Sequence, residues 1–227
     1  MSPSKAAETF KKTTVFLVDD HPLVRDWLSR LIQEEPDLSV CGWADTADEA
    51  IRGIERLHPD IIIVDIGLRG KSGLELIRFL TDQNPDTQIL VLSMHDEVVY
   101  AGRSLKAGAR GYVSKREATE NVVLALRRIL AGGIYISAAF VENFAMGLAR
   151  NKTPPLANDV SLLSDRELEV FRLLATGRET SDIAKDLSVS LKTVQSYCAR
   201  IKDKLNLRNA TELLQAATRW ADAQNLA

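Results

Sequence analysis

Apolar residues over the first 130 or so positions fall into two alternating patterns. Short apolar runs occur at 15–18 (VFLV), 38–44 (LSVCGWA), 61–65 (IIIVD), 88–93 (QILVLS) and 111–114 (GYVS). Runs of this kind suit strands buried on both faces. The segments 22–34, 46–57, 73–83, 96–107 and 117–131 instead repeat apolar positions at helical spacing. Five strand–helix units in alternation predict a doubly wound parallel sheet, which binds ligands at the carboxyl ends of its strands. Asp19 and Asp20 follow the first run, Asp65 ends the third, Ser93 ends the fourth and Lys115 follows the fifth. Three carboxylates, a hydroxyl and an ammonium are thereby expected on one rim.

The pattern changes near position 150. The stretch RNKTPPLANDVS (150–161) holds Pro154 and Pro155 among small polar residues, a linker signature. From Leu162 onward no strand-like run appears. Helical periodicity covers 164–176, 180–187, 191–205 and 209–220, with Ser164 and Ser190 as N-caps and Gly177 as a stop. The expected organisation is a frayed tail at 1–12, an α/β domain at 13–135, a linker at 136–161 and a four-helix, all-α domain at 162–227.

Composition narrows the class. The 227 residues are 45% apolar and 26% charged, ordinary for a chain with a real core. A net charge of −2 confines any nucleic-acid surface to a local patch. Such a patch is present: Lys185–Arg208 carries six Lys/Arg against Asp186 and Asp203. Cys41 and Cys198 form no CxxC pattern, and His21, His58 and His95 lack zinc-ligand spacing. With no signal peptide and no membrane-length apolar run, the expectation is a cytoplasmic protein without a membrane partner.

Adjacent carboxylates repel, and burial adds to the cost of charging them. A divalent cation offsets both effects. Asp20 and Asp65 could hold one Mg²⁺, which takes one or two carboxylates and keeps several waters. A carboxylate beside such an ion can attack phosphorus, giving an aspartyl phosphate. The ion, Lys115 and the Ser93 hydroxyl could each meet one equatorial phosphoryl oxygen.

The motifs VDDH (18–21), VDIGLRGKSGLEL (64–76), LVLSMHD (90–96) and LKAGARGYVSK (105–115) resemble the receiver domain of two-component response regulators. The resemblance implies a flavodoxin-like fold with Asp65 as phosphoacceptor. It makes Asp20 the main ligand of Mg²⁺ or Mn²⁺, with Asp19 standing behind the ligands or acting through water and the Gly67 carbonyl completing the site. Ser93 is then the switch hydroxyl, Tyr112 the aromatic that follows it inward and Lys115 the phosphate partner. Such a domain is a phosphoacceptor rather than an enzyme, although it can slowly lose its own phosphate. The family usually has proline where this chain has Arg69, which bears on the lifetime of the phosphoryl group.

The segment 163–217, with LSDRELEV, GRETSDIAKDLSVS, KTVQSY and KLNLRNATEL, resembles the LuxR-type helix-turn-helix domain of NarL/FixJ response regulators. By that resemblance Gln195, Ser196 and Ala199 face bases, and Lys192, Thr193, Tyr197, Arg200 and Lys204 lie toward the phosphate backbone. Tyr197 stands where histidine is common, and Ser181 where lysine often supports phosphate binding. The implied partners are a sensor histidine kinase, promoter DNA and a second copy of the active chain, with RNA polymerase a further candidate. The implied function is a transcription factor controlled by phosphorylation of Asp65. The alternative is a phosphorylation-independent DNA-binding regulator whose receiver serves as a dimerisation scaffold. A Mg²⁺-dependent phosphatase would need a second aspartate two residues after Asp65, where Gly67 stands.

Overall fold

The computed structural model describes residues 12–68, 70, 72–142, 146 and 160–225. Residues 1–11 of the expected tail at 1–12, Arg69 and most of the proline-containing linker lie outside the described residues. The first domain runs β1 (Thr13–Val18), α1 (Pro22–Gln33), β2 (Leu38–Ala44), α2 (Ala47–Leu57), β3 (Ile61–Val64), α3 (Gly73–Gln83), β4 (Ile89–Ser93), α4 (Glu97–Lys106), β5 (Gly111–Ser114) and α5 (Ala118–Leu130). The strands are parallel, in the order β2-β1-β3-β4-β5. The order reverses between β1 and β3, so the crevice for a ligand opens where Asp19, Asp20 and Asp65 leave the sheet.

Strand alternation divides the core into two layers. Val15 and Leu17 meet Leu28 and Ile32 of α1 and Val122, Leu126 and Ile129 of α5. Phe16 and Val18 meet Ala47 and Ala50 of α2, Leu74 and Ile77 of α3, and Tyr100 and Ala101 of α4. With both faces covered, β3 and β4 are buried throughout. Their unbroken apolar runs are a consequence of that burial.

Several expected helix starts turn out to be caps. Thr46 and Asp96 each accept a backbone N–H of the first turn that follows. The packed region also extends past the expected boundary at 135. Tyr112 donates its amide to the Tyr135 carbonyl, which covers the outer edge of β5. Ser137 donates its amide (3.0 Å) and its hydroxyl (2.5 Å) to the Glu97 carboxylate at the start of α4.

The second domain has α6 (Asp165–Ala175), α7 (Thr180–Asp186), α8 (Leu191–Leu205) and α9 (Ala210–Asn225). Ser164 and Glu167 form a reciprocal capping box at α6, and Gly177 ends the turn after it with φ +76°. Ile183, Leu187, Val194 and Ile201 form the core, together with Leu213, Ala217 and Trp220 of α9. Leu214 of the same helix stays exposed.

The two domains touch through the α3–α4 side of the first. The Arg103 guanidinium donates to the carbonyls of Leu163 (2.9 Å) and Val160 (3.0 Å) and to Asp165 Oδ1 (2.8 Å). Arg78 pairs with the other Asp165 oxygen at 2.5 Å. Arg166 forks onto Glu75 at 3.0 and 2.7 Å.

Candidate functional site

The acidic rim is assembled by three strand ends. Asp19 donates its amide to the Ala44 carbonyl, and Asp65 donates its amide to the Val18 carbonyl. Both aspartates therefore sit one residue beyond the ladder, with the carboxylates over the crevice. Gly73 allows α3 to close against this point. A Cβ there would stand 2.2 Å from the Asp65 carbonyl oxygen and 2.5 Å from Ile66 Cα. The Gly67 amide donates to Asp65 Oδ1 at 2.9 Å, which orients the carboxylate.

Lys115 joins the carboxylates. Its ammonium lies 2.5 Å from Asp65 Oδ2 and 2.6 Å from Asp19 Oδ2, with only 8% of the side chain exposed. Burial alone would depress its pKa, but Asp65 and then Asp19 outweigh burial and raise it. Lys115 is thus held as a cation beside Asp65. Its amide also donates to the Ser93 carbonyl at 2.9 Å, which locks the end of β5 to the end of β4.

Donor atoms of Asp19, Asp20, His21 and Asp65 all lie within 4.8 Å of one another. An oxygen-dominated set of this kind fits a hard divalent cation. His21 was not singled out by spacing, because its approach depends on the turn: Nδ1 lies 2.8 Å from Asp20 Oδ1 and 3.1 Å from Asp19 Oδ1.

Ser93 is buried, and its hydroxyl accepts the His95 amide at 3.3 Å. Tyr112 is fully buried and donates its hydroxyl to the His95 carbonyl at 2.7 Å. Burial raises the Tyr112 pKa far above the ordinary range, against the smaller opposing effect of its hydrogen bond with Ser93. His95 stacks on Tyr100 with centroids 4.8 Å apart. Burial, then the cations Arg172 and Lys115, push its pKa down to about 4, with Asp65 opposing. Arg172 comes from α6, so the second domain reaches electrostatically to the loop after Ser93.

In the helical domain Lys192, Gln195, Ser196, Ala199 and Arg200 are exposed on α8, and the first domain does not cover them. Thr193 is half-buried, with its hydroxyl 2.8 Å from that of the cap Ser190. Tyr197 is half-buried against the core. Lys204 is engaged within its own domain: its ammonium donates to Glu167 at 2.6 Å and to the Leu162 carbonyl at 3.1 Å. Spacing along α8 could not reveal that engagement, because Glu167 lies two helices earlier.

Comparison with known proteins agrees with this architecture. Residues 15–127 match the family described as response regulator receiver domain, and residues 161–217 match bacterial regulatory proteins of the luxR family. The chain is 33% identical to the oxygen regulatory protein NreC of Staphylococcus epidermidis, over 89% of this chain and 95% of that protein. It is 32% identical to the response regulator UvrY of Escherichia coli, over 90% of this chain and 93% of that protein. Among solved structures, RcsB from Salmonella enterica serovar Typhimurium, bound to promoter rprA in the presence of a beryllofluoride phosphomimetic, superposes with a TM-score of 0.65. That match is 25% identical and covers 92% of this chain and 99% of the RcsB chain. With a receiver fold carrying an acidic crevice and a LuxR-type helix-turn-helix domain beyond it, this chain belongs to the NarL/FixJ family of two-component response regulators, which regulate transcription.

Proposed function

We propose that Asp65 accepts a phosphoryl group from a sensor histidine kinase and that the aspartyl phosphate controls promoter binding by the C-terminal domain. The observation that carries this reading is the buried Lys115 ammonium, which bridges Asp65 and Asp19 in the crevice. A bound Mg²⁺ or Mn²⁺ would neutralise phosphoryl oxygens during transfer, held by Asp20, Asp65 and the Gly67 carbonyl with Asp19 behind them. In that reaction Asp65 is the nucleophile. Lys115 leaves its pairing with the free carboxylate and takes a phosphoryl oxygen. Ser93 turns its hydroxyl to another oxygen and releases the His95 amide. Tyr112 shares the β4–α4 loop through His95, so a shift of Ser93 is felt along α4.

Control does not require the receiver to cover the groove-reading face, since Lys192, Gln195, Ser196 and Arg200 are exposed with the domains in contact. We assign control to the α4–α6 contact and to pairing of two copies, in which the exposed Leu214 of α9 is a candidate contact. Gln195 is the leading base reader, and Lys192 and Arg200 the phosphate contacts. RNA polymerase is a further partner of the DNA-bound form. Among the described residues no helix is long and apolar enough to cross a membrane. A cytoplasmic location fits a regulator of promoters.

The test is DNA binding by the full chain at fixed salt, with and without Mg²⁺ plus beryllofluoride, beside Asp65→Asn. Tighter binding or dimerisation confined to the Asp65 protein supports the switch. Equal binding in all states would make the receiver a scaffold and refute it.

A further inference from the structure

The carbonyl of Asp19 is gripped by a residue that no part of the phosphoryl chemistry uses. Arg25, the fourth residue of α1, donates from Nη1 to this oxygen at 2.5 Å and is 9% exposed. Its guanidinium lies over the indole of Trp43 on β2, with Cζ 4.3 Å from the ring centroid. Trp43 itself is 57% exposed, unusual for a large aromatic on a sheet with both faces covered. Electrostatics alone gives no reason for the arrangement, because a cation placed here repels a second cation in the crevice.

Geometry does give a reason. The peptide joining Asp19 to Asp20 is planar, so fixing the direction of its carbonyl fixes its N–H and the Cα of Asp20. The other side of Asp19 is already tied, through its amide to Ala44 and its carboxylate to the His21 amide and Lys115. The Arg25 bond fixes the remaining peptide plane, and with it the origin of the Asp20 side chain. The indole face packs against the guanidinium and offsets part of its charge. We propose that Arg25, seated on Trp43, is a positioning residue that aims Asp20 at the divalent cation. This rests on the reading of Asp20 and Asp65 as cation ligands.

The experiment is calorimetric titration of the full-length chain with MgCl₂, paired with thermal melts in EDTA. Arg25→Met keeps the apolar stem and removes both donor and charge. We expect Mg²⁺ affinity about tenfold lower, the low end for loss of a group that orients a metal ligand. Trp43→Leu, at a site 57% exposed, is expected to lower affinity by less than Arg25→Met does, and Trp43→Phe to restore most of it. Ile129→Val, a core change on α5, should lower the melting temperature and leave Mg²⁺ affinity unchanged, separating positioning from general stability. Equal or tighter Mg²⁺ binding by Arg25→Met overturns the proposal, since removal of a repelling charge would then be its main effect. Should that variant not fold, the Trp43 pair decides, and a Trp43→Leu chain that binds like the unaltered protein overturns the proposal. No Mg²⁺ binding by the unaltered chain would instead refute the cation-site reading and take this inference with it.

Discussion

Replacement of Arg103 by methionine tests what holds the two domains together. The Arg103 side chain is 16% exposed and the Asp165 side chain 7%, so their 2.8 Å pair is largely out of water. The same guanidinium satisfies the carbonyls of Val160 and Leu163, just before α6. Methionine keeps the stem packed and deletes three charge-assisted bonds at once. Removing one partner of a buried pair costs roughly 3–5 kcal/mol, because the other charge is left stranded. Here Arg78, 49% exposed, still faces Asp165, which places the loss at the low end, about 3 kcal/mol. At about 1.4 kcal/mol per tenfold, the docked-to-undocked ratio falls roughly 100-fold. Hydrogen exchange of the Leu163 and Leu168 amides, read with small-angle scattering of the full chain, should report faster exchange and an expanded particle. A double-mutant cycle with Asp165→Asn should return a coupling of at least about 1 kcal/mol. Unchanged exchange, scattering and coupling would show that apolar contact around Tyr100 holds the domains, and would refute the electrostatic account of docking.

Four further outcomes follow from the geometry. Gly73→Ala forces a methyl into the Asp65 and Ile66 backbone, and should destabilise the receiver by about 2 kcal/mol or more in urea unfolding and weaken beryllofluoride binding. His95 has a folded-state pKa of about 4 against about 6.5 when unfolded, so the unfolded chain binds the extra proton between these values and stability is lost as pH falls from about 6.5 to 4. The ceiling on that loss is about 3 kcal/mol, and His95→Phe should flatten the variant's own stability curve over this window, so that the wild-type-minus-variant difference falls toward low pH; a difference that falls only as pH rises above 7 would have the opposite sign and refute the reasoning. Lys192→Ala should lower the slope of log K against log salt by about 0.9 in DNA binding. Lys204→Ala, whose ammonium is engaged by Glu167, should lower the melting temperature and leave that slope nearly unchanged.

The two domains, the order of the strands along the chain and the residues on the acidic rim could be read from the sequence. Parallel strands buried on both faces leave unbroken apolar runs, and the rim residues stand at run ends, so local pattern carries both. Caps such as Ser164 and Ser190 were legible because the bond they make spans three residues. Tertiary structure decided whatever depends on residues far apart in the chain. Lys115 bridges Asp19 and Asp65 because the strand order brings β1 and β3 together at the crevice, with β5 reaching it across β4. His21 joins the acidic cluster only through the turn after β1. Lys204, expected toward DNA, is held by Glu167, and the covering of β5 runs on to Tyr135. The contact between domains had no sequence signature. Arg78, Arg103, Glu75, Asp165 and Arg166 each read as surface charge on an amphipathic helix. Only the meeting of two folded surfaces makes partners of them, because an ion pair between domains is specified by distance in space and leaves no periodicity along the chain.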